Sequence, residues 1–117
     1  MEKIHLNWSQ RDILLMPFPY SNLSGSKVRP VLVISNGQFN ASSQDLIVCA
    51  VTSNISKDSY TVVLEKNHLE EGQLLEDCCV KIENIAKIEK AKVIKKIGRI
   101  GTKTFSEIIE KLYSLFS

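Results

Sequence analysis

Short apolar runs alternate with polar punctuation along this chain. The runs "DILLMPF", "RPVLVIS", "DLIVCAV", "YTVVLE", "CCVKIENIAKIE" and "KVIKKIGRI" are rich in Val and Ile. Between and after them stand "NLSGS", "NGQFNASSQ", "NISKDS", "NHLEEGQ" and "IGRIGT", whose Gly, Asn, Asp and Ser residues favour turns. Branched side chains suit a pleated, half-buried surface, so the runs predict strands. Six or seven strands in about 90 residues predict a small, twisted, mostly antiparallel barrel or sandwich. No repeat, low-complexity tract or linker interrupts the pattern, and residues 1–117 read as one domain.

The pattern changes at the C-terminus. In "TKTFSEIIEKLYSLF", Phe105, Ile108, Ile109, Leu112, Leu115 and Phe116 recur at helical spacing along one stripe. Thr104 and Glu107, three positions apart, have the form of a capping box at the start of that helix. The stripe is expected to pack on the barrel or to share in a dimer interface, and periodicity leaves both open.

Composition narrows the picture. The chain has 117 residues, 24% of them charged and 44% hydrophobic, as in an ordinary soluble domain with one core. No apolar run approaches the roughly 20 residues that span a bilayer. The segment "MEKIHLNWSQ" is too polar for the apolar part of a signal peptide, so a cytoplasmic location is expected. Cys49, Cys78 and Cys79 are an odd set without CxxC spacing and read as reduced, partly buried thiols, with no metal or cofactor expected. The formal net charge is only +2, but its distribution is uneven. Five acids between Glu65 and Asp77 precede a basic segment holding Lys81, Lys87, Lys90, Lys92, Lys95, Lys96, Arg99 and Lys103. That segment could face an anionic polymer, or its lysines could simply solvate the outer face of strands.

Walker, GxGxxG, HExxH and GxSxG motifs are absent from the sequence. His5 and His68 have no neighbours that suggest a triad, and Asp12 and Asp45 read as turn-forming carboxylates at strand starts. Arg29 then stands out, one residue before Pro30 at the entrance to "VLVIS", together with Thr52 and Ser53 at the exit of "LIVCAV". Pro30 has no N–H to donate and is expected at a strand's first residue or on an edge. If the two strand ends are neighbours, a guanidinium fork and one or two hydroxyls converge at the barrel mouth and suit a phosphate group. An arginine at a strand entrance is also commonly just solvated.

The blocks "RDILLMPFPYSNLSGSKVRPVLVIS", "DLIVCAVTSN" and "KIENIAKIEKAKVIKKIGRI", in that order, resemble the MazF/PemK family over residues 10–116. The members of that family are ribosome-independent endoribonucleases, the mRNA interferases of type II toxin–antitoxin modules. The resemblance implies a small SH3-like barrel closed by a C-terminal helix and working as a homodimer. Its partners would be single-stranded RNA and a cognate antitoxin whose tail occupies the RNA groove. It implies that Arg29 and Thr52 correspond to the family's catalytic arginine and threonine, and residues 18–28 to its mobile loop. Ser26, Lys27 and Ser53 would then contact phosphate, while Phe18, Tyr20 and Asn22 would contribute to the choice of RNA sequence. Two departures stand out: Arg11 occupies the place of the family's usual Gly before Asp12, and Lys81 stands where many members carry an arginine. Lys81 keeps the charge but not the planar fork.

Cleavage on this reading is metal-independent, because the nucleophile is the substrate's own 2′-OH. DNA would bind but resist cutting. Two rivals remain. A gyrase-poisoning toxin of the same fold is disfavoured, because the chain ends "LYSLFS" and its one tryptophan is Trp8. A noncatalytic barrel that binds RNA or protein through the same mouth would bind single-stranded RNA without cutting it.

Overall fold

The computed structural model describes residues 7–19, 26–55 and 58–117. The strands are β1 (Asp12–Pro19), β2 (Ser26–Val33), β3 (Asp45–Thr52), β4 (Thr61–Leu64), β5 (Leu69–Gly72), β6 (Cys78–Glu89) and β7 (Lys95–Ile100). They form one sheet in the order β4-β6-β3-β2-β1-β7-β5, with every pair antiparallel. The edge strands β4 and β5 do not pair with each other, so the expected barrel is a curled sheet whose hydrogen-bond ladder stays open. Helix α1 (Gly37–Ser42) lies between β2 and β3, and helix α2 (Thr102–Ser114) follows β7.

Alternation along the strands sends side chains to two cores. Ile13, Leu32, Cys49, Val51, Leu64, Val80, Ile82 and Ile100 fill the inside of the curl, where Phe105 and Ile108 of α2 close it. On the opposite face Leu14, Met16, Phe18, Val31, Val33, Leu46, Val48 and Ile88 form a second cluster against Trp8 and Val93. Sheet strands with both faces covered read as continuous apolar runs, as "DILLMPF" and "RPVLVIS" do.

Several local expectations need correction. Residues 37–42 form a helix and not a turn, because the Asn36 side chain caps it by accepting from Phe39 N at 2.9 Å. The acidic "LEEG" is a strand, held against β7 by a close glycine crossing. Gly72 has φ +83°, and a Cβ there would lie 2.2 Å from the Ile97 carbonyl oxygen. Helix α2 begins two residues before Thr104. Its N-cap is Gly101, whose N–H donates to the His68 carbonyl at 2.9 Å, and Thr104 is buried, so no Thr104–Glu107 capping box forms. Along the helical stripe Phe105 and Ile108 are buried and Ile109, Leu112 and Leu115 pack against them, but Phe116 is 76% exposed. The cysteines are free and all three are buried.

Pro30 is neither the first residue of its strand nor on a sheet edge. Strand β2 starts at Ser26 and pairs with β1 as far as Pro19, so Phe18, Pro19 and residues 26–28, at the two ends of the segment expected as a loop, are paired strand residues, while residues 20–25 lie outside the described residues. The β2–β3 ladder is shorter and joins only Val31–Val33 to Val48–Ala50. Pro30 is the next residue outward, where a missing N–H cannot supply a further rung. The proline marks the place where the two strands part.

Candidate active site

The outer ends of β2 and β3 frame that gap. Val31 lies opposite Ala50 and Leu32 opposite Cys49. Continuing the register outward sets Pro30 across from Val51 and Arg29 across from Thr52. Arg29 shares the side of the sheet that holds Val31 and Val33, whereas Pro30 and Val51 belong to the inside of the curl. Thr52, which alternates with Val51, falls on the same side as Arg29, so the two stand together at the rim where the ladder ends.

A cavity opens on each side of that rim. One, of about 570 Å³, has a partly apolar lining that includes Phe18, Ala50 and Ile85, with Asn54, Asp58, Lys81, Glu83 and Asn84 as polar walls. The other, of about 540 Å³, is lined by Leu15, Pro30, Leu74, Leu75 and Ile97 with Ser53, Lys95 and Lys96. Arg29, Val51 and Thr52 line both. Arg29 and Thr52 thus meet at shared cavities despite their separation in sequence.

Local bonding orients the threonine. Thr52 Oγ1 accepts from the Asn54 N–H at 3.1 Å, which uses an oxygen lone pair and leaves the hydroxyl proton available as a donor. Cys78 also lines the second cavity, but burial pushes its thiol up to about 11, assisted by Cys79, Asp77 and Glu76. It is protonated at neutral pH and a poor nucleophile.

The other expected site residues fall in different places. Phe18 is buried in the second core and forms part of the first cavity's wall, and Ser53 lines the second cavity. Lys27 is exposed in β2 opposite Phe18 and lines neither cavity. Tyr20, Asn22 and the Ser26 side chain lie outside the described residues, as does His5. Lys81 lies 3.2 Å from Asp58 and 3.8 Å from Glu83. The hydrogen bond to Asp58 raises its pKa, so the ammonium is already engaged by protein carboxylates.

The basic segment is likewise partly neutralised by structure. Lys96 lies 2.7 Å from Glu71 and 3.4 Å from Asp12, and Arg99 Nε lies 2.8 Å from Asp12. The acidic run expected as a loop thus contributes Glu71, on β5, to pair with β7. Lys87 pairs with Asp45 and Lys92 with Glu89. Lys95 is exposed and makes no ion pair among the described residues. Among the described residues no group of three or more His, Cys, Asp or Glu is arranged to hold a metal ion, and no helix is long and apolar enough to cross a membrane.

Asp58, Glu83 and Asn84 were not anticipated in the site. Glu83 and Asn84 come from a slip in β6, where Cys49 faces Ile85 but the next residue, Ala50, faces Lys81. Residues Ile82–Asn84 are left over as a bulge, a device that re-aims side chains beside binding sites. The signal in the sequence is the change of phase in "VKIENI", where Ile82 and Ile85 are three residues apart instead of two.

Comparison with known proteins bears on the fold. Similar folds occur in an endoribonuclease in complex with its cognate antitoxin from a mycobacterial species, with TM-score 0.73, 17% identity and coverage of 91% of each chain. They occur also in a MazE–MazF complex from Deinococcus radiodurans, with TM-score 0.75, 17% identity and coverage of 94% of this chain and 96% of that one. A third is a Mycobacterium tuberculosis MazF toxin, with TM-score 0.69, 16% identity and coverage of 88% and 95%. No match is found among curated proteins. The model of the PemK-like, MazF-like toxins of type II toxin–antitoxin systems matches residues 9–116. With the match running through β1–β7 and α2, this chain belongs to the PemK-like, MazF-like toxin family.

Proposed function

We propose that the protein is a sequence-specific endoribonuclease that cuts single-stranded RNA, with Arg29 and Thr52 as its catalytic pair. The observation that carries this reading is the shared position of the two side chains, on the rim where the β2–β3 ladder stops and two cavities meet. A phosphodiester laid across that rim leaves a cavity for the nucleotide on either side. The ribose 2′-OH gives up its proton to water and attacks the adjacent phosphorus, the bond to the 5′ oxygen breaks, that oxygen takes up a proton, and a 2′,3′-cyclic phosphate and a 5′-OH end result. Arg29 stabilises the charge growing on the nonbridging oxygens and is suited to giving a proton to the leaving oxygen, since a guanidinium is a poor base. Thr52, with its lone pair held by Asn54, donates a second hydrogen bond and aligns the phosphate. The nucleophile comes from the substrate, so activity is expected to persist in EDTA.

The test is cleavage of a long single-stranded RNA by Arg29→Ala and Thr52→Ala. Loss of an electrostatic donor of this kind typically costs about 10²–10³ in rate. Undiminished cleavage by both variants refutes the assignment, and RNA binding without cleavage by the unaltered protein favours a noncatalytic barrel. Family membership supports a cognate antitoxin as partner; its covering the same rim, and a homodimer as the working unit, are part of this proposal.

A further inference from the structure

The two cavities that share Arg29 and Thr52 differ in charge balance, and we infer from it that the one built on the β6 bulge is a base-reading subsite. This rests on the ribonuclease reading and deepens it, with Glu83 as the specificity-determining residue for a base carrying an exocyclic amino group.

The charges divide the work. The bulge cavity sets Arg29 and Lys81 against Asp58 and Glu83 and is formally neutral, with Lys81 held by both carboxylates. The other cavity has Arg29, Lys95 and Lys96 on its lining with Glu76 as the one carboxylate there, and although Lys96 is paired with Glu71 and Asp12, Arg29 and Lys95 still outnumber that carboxylate. A phosphate chain is repelled by wall carboxylates and drawn to the second side, where Lys95 has no ion pair among the described residues. The bulge cavity then receives a neutral group.

Its walls suit a base. Phe18, Ala50 and Ile85 offer apolar contact for a ring, while Glu83, Asn84 and Asn54 supply amide and carboxylate groups for its edge. A carboxylate only accepts hydrogen bonds, so it favours bases that present an exocyclic amino group, namely cytosine, adenine or guanine, over uracil, whose one donor, N3–H, sits between two carbonyl oxygens that the carboxylate repels. Glu83 is aimed there by a rigid device. Ile82, the first bulge residue, is fully buried, its N–H donates to the Tyr60 carbonyl at 3.0 Å, and its carbonyl accepts from the Cys49 thiol at 3.6 Å. The side chain of Glu83 itself is 41% exposed, so a conservative change there does not threaten the core.

The experiment compares the unaltered protein with Glu83→Gln, using Glu89→Gln as control. Two measurements are made: sequencing the 5′ ends of fragments from a long RNA, and fluorescence anisotropy with 2′-deoxy oligonucleotides varied one base at a time. Uracil is expected to be disfavoured at one position abutting the cut. Glu83→Gln, whose amide both donates and accepts, should raise its acceptance about tenfold while Glu89→Gln changes nothing. An identical cleavage motif in Glu83→Gln overturns the inference and leaves the ribonuclease reading intact. If the unaltered protein does not cut, the ribonuclease reading fails and the binding series decides alone. Uracil discrimination relaxed by Glu83→Gln retains the subsite, and equal binding of all bases by the unaltered protein removes it.

Discussion

Arg11 offers a direct test of the physical reasoning, because its backbone and its side chain pull in opposite directions. Its φ of 82° lies in the left-handed region, where a side chain costs roughly 1–2 kcal/mol. The conformation is fixed from both sides, since Arg11 N donates to the Val33 carbonyl at 3.0 Å and its own carbonyl accepts from Ile100 N at 3.0 Å. The side chain offsets the strain by reaching Glu70 at 3.0 Å and the Ile100 carbonyl at 2.8 Å. A half-exposed ion pair contributes about 0.2–1 kcal/mol and the hydrogen bond about 1 kcal/mol. Arg11→Ala keeps the strain and loses both contacts, so it should destabilise by about 1–2 kcal/mol. Arg11→Gly loses the same contacts but relieves the strain, less the extra chain entropy of glycine. It should therefore be about 1 kcal/mol more stable than the alanine variant, or about 4 °C in Tm for a domain of this size. Urea denaturation and calorimetry of the two variants measure the gap. A glycine variant no more stable than the alanine one refutes the claim that strain is stored at this residue.

Two further predictions concern the frame around the site. Asp12 is 1% exposed and accepts from Ser9 N and Arg99 Nε, each at 2.8 Å, with Lys96 at 3.4 Å. Asp12→Ala strands these donors and should destabilise by about 2–3 kcal/mol, the lower side of the range for a broken buried pair because both cations are partly exposed; thermal unfolding shifted by less than 1 °C contradicts this. Burial, and secondarily Glu83, pushes the Cys49 thiol from 9.0 up to about 12. A folded-state pKa above the unfolded one means that the protonated thiol's contribution is complete below pH 9 and drains away as pH rises from 9 towards 12, by about 1.4 kcal/mol per pH unit. Cys49→Ala should flatten that alkaline limb in urea titrations, and an unchanged slope between pH 9 and 11 contradicts the assignment.

The strands were legible because burial on both faces writes itself into sequence as branched apolar runs. The apolar run of "CCVKIENIAKIE" coincides with β6 from Cys78 to Glu89. Strand β5 was not legible, since an edge strand made of Leu69, Glu70, Glu71 and Gly72 is held by pairing with β7 and by the glycine crossing, neither of which has a local signature. The helical stripe of α2 was clear but its start was not, because a glycine cap leaves no side-chain signal while Thr104 and Glu107 imitate one. At the site, Arg29 and Thr52 could be picked out as polar residues at the ends of apolar runs. Glu83 could not, because its direction depends on a slip between β6 and β3 that belongs to the pair of strands and to neither alone.

Ion pairing within the fold changes what the basic segment means. Eight cations in residues 81–103 suggest a broad phosphate track, yet the fold commits Lys81, Lys87, Lys92, Lys96 and Arg99 to carboxylates. Each such pair must be broken before its cation can serve a phosphate, and the gain is reduced by the interaction given up. Attraction for an RNA backbone then depends less on the number of lysines than on where the protein withholds carboxylates. Around the rim the supply is uneven, with Glu76 as the one carboxylate beside Lys95 at the second cavity and Glu83 with Asp58 at the first. Pro30 makes the arrangement possible: by ending the β2–β3 ladder it opens the strand ends, so that one arginine and one threonine face both environments at once.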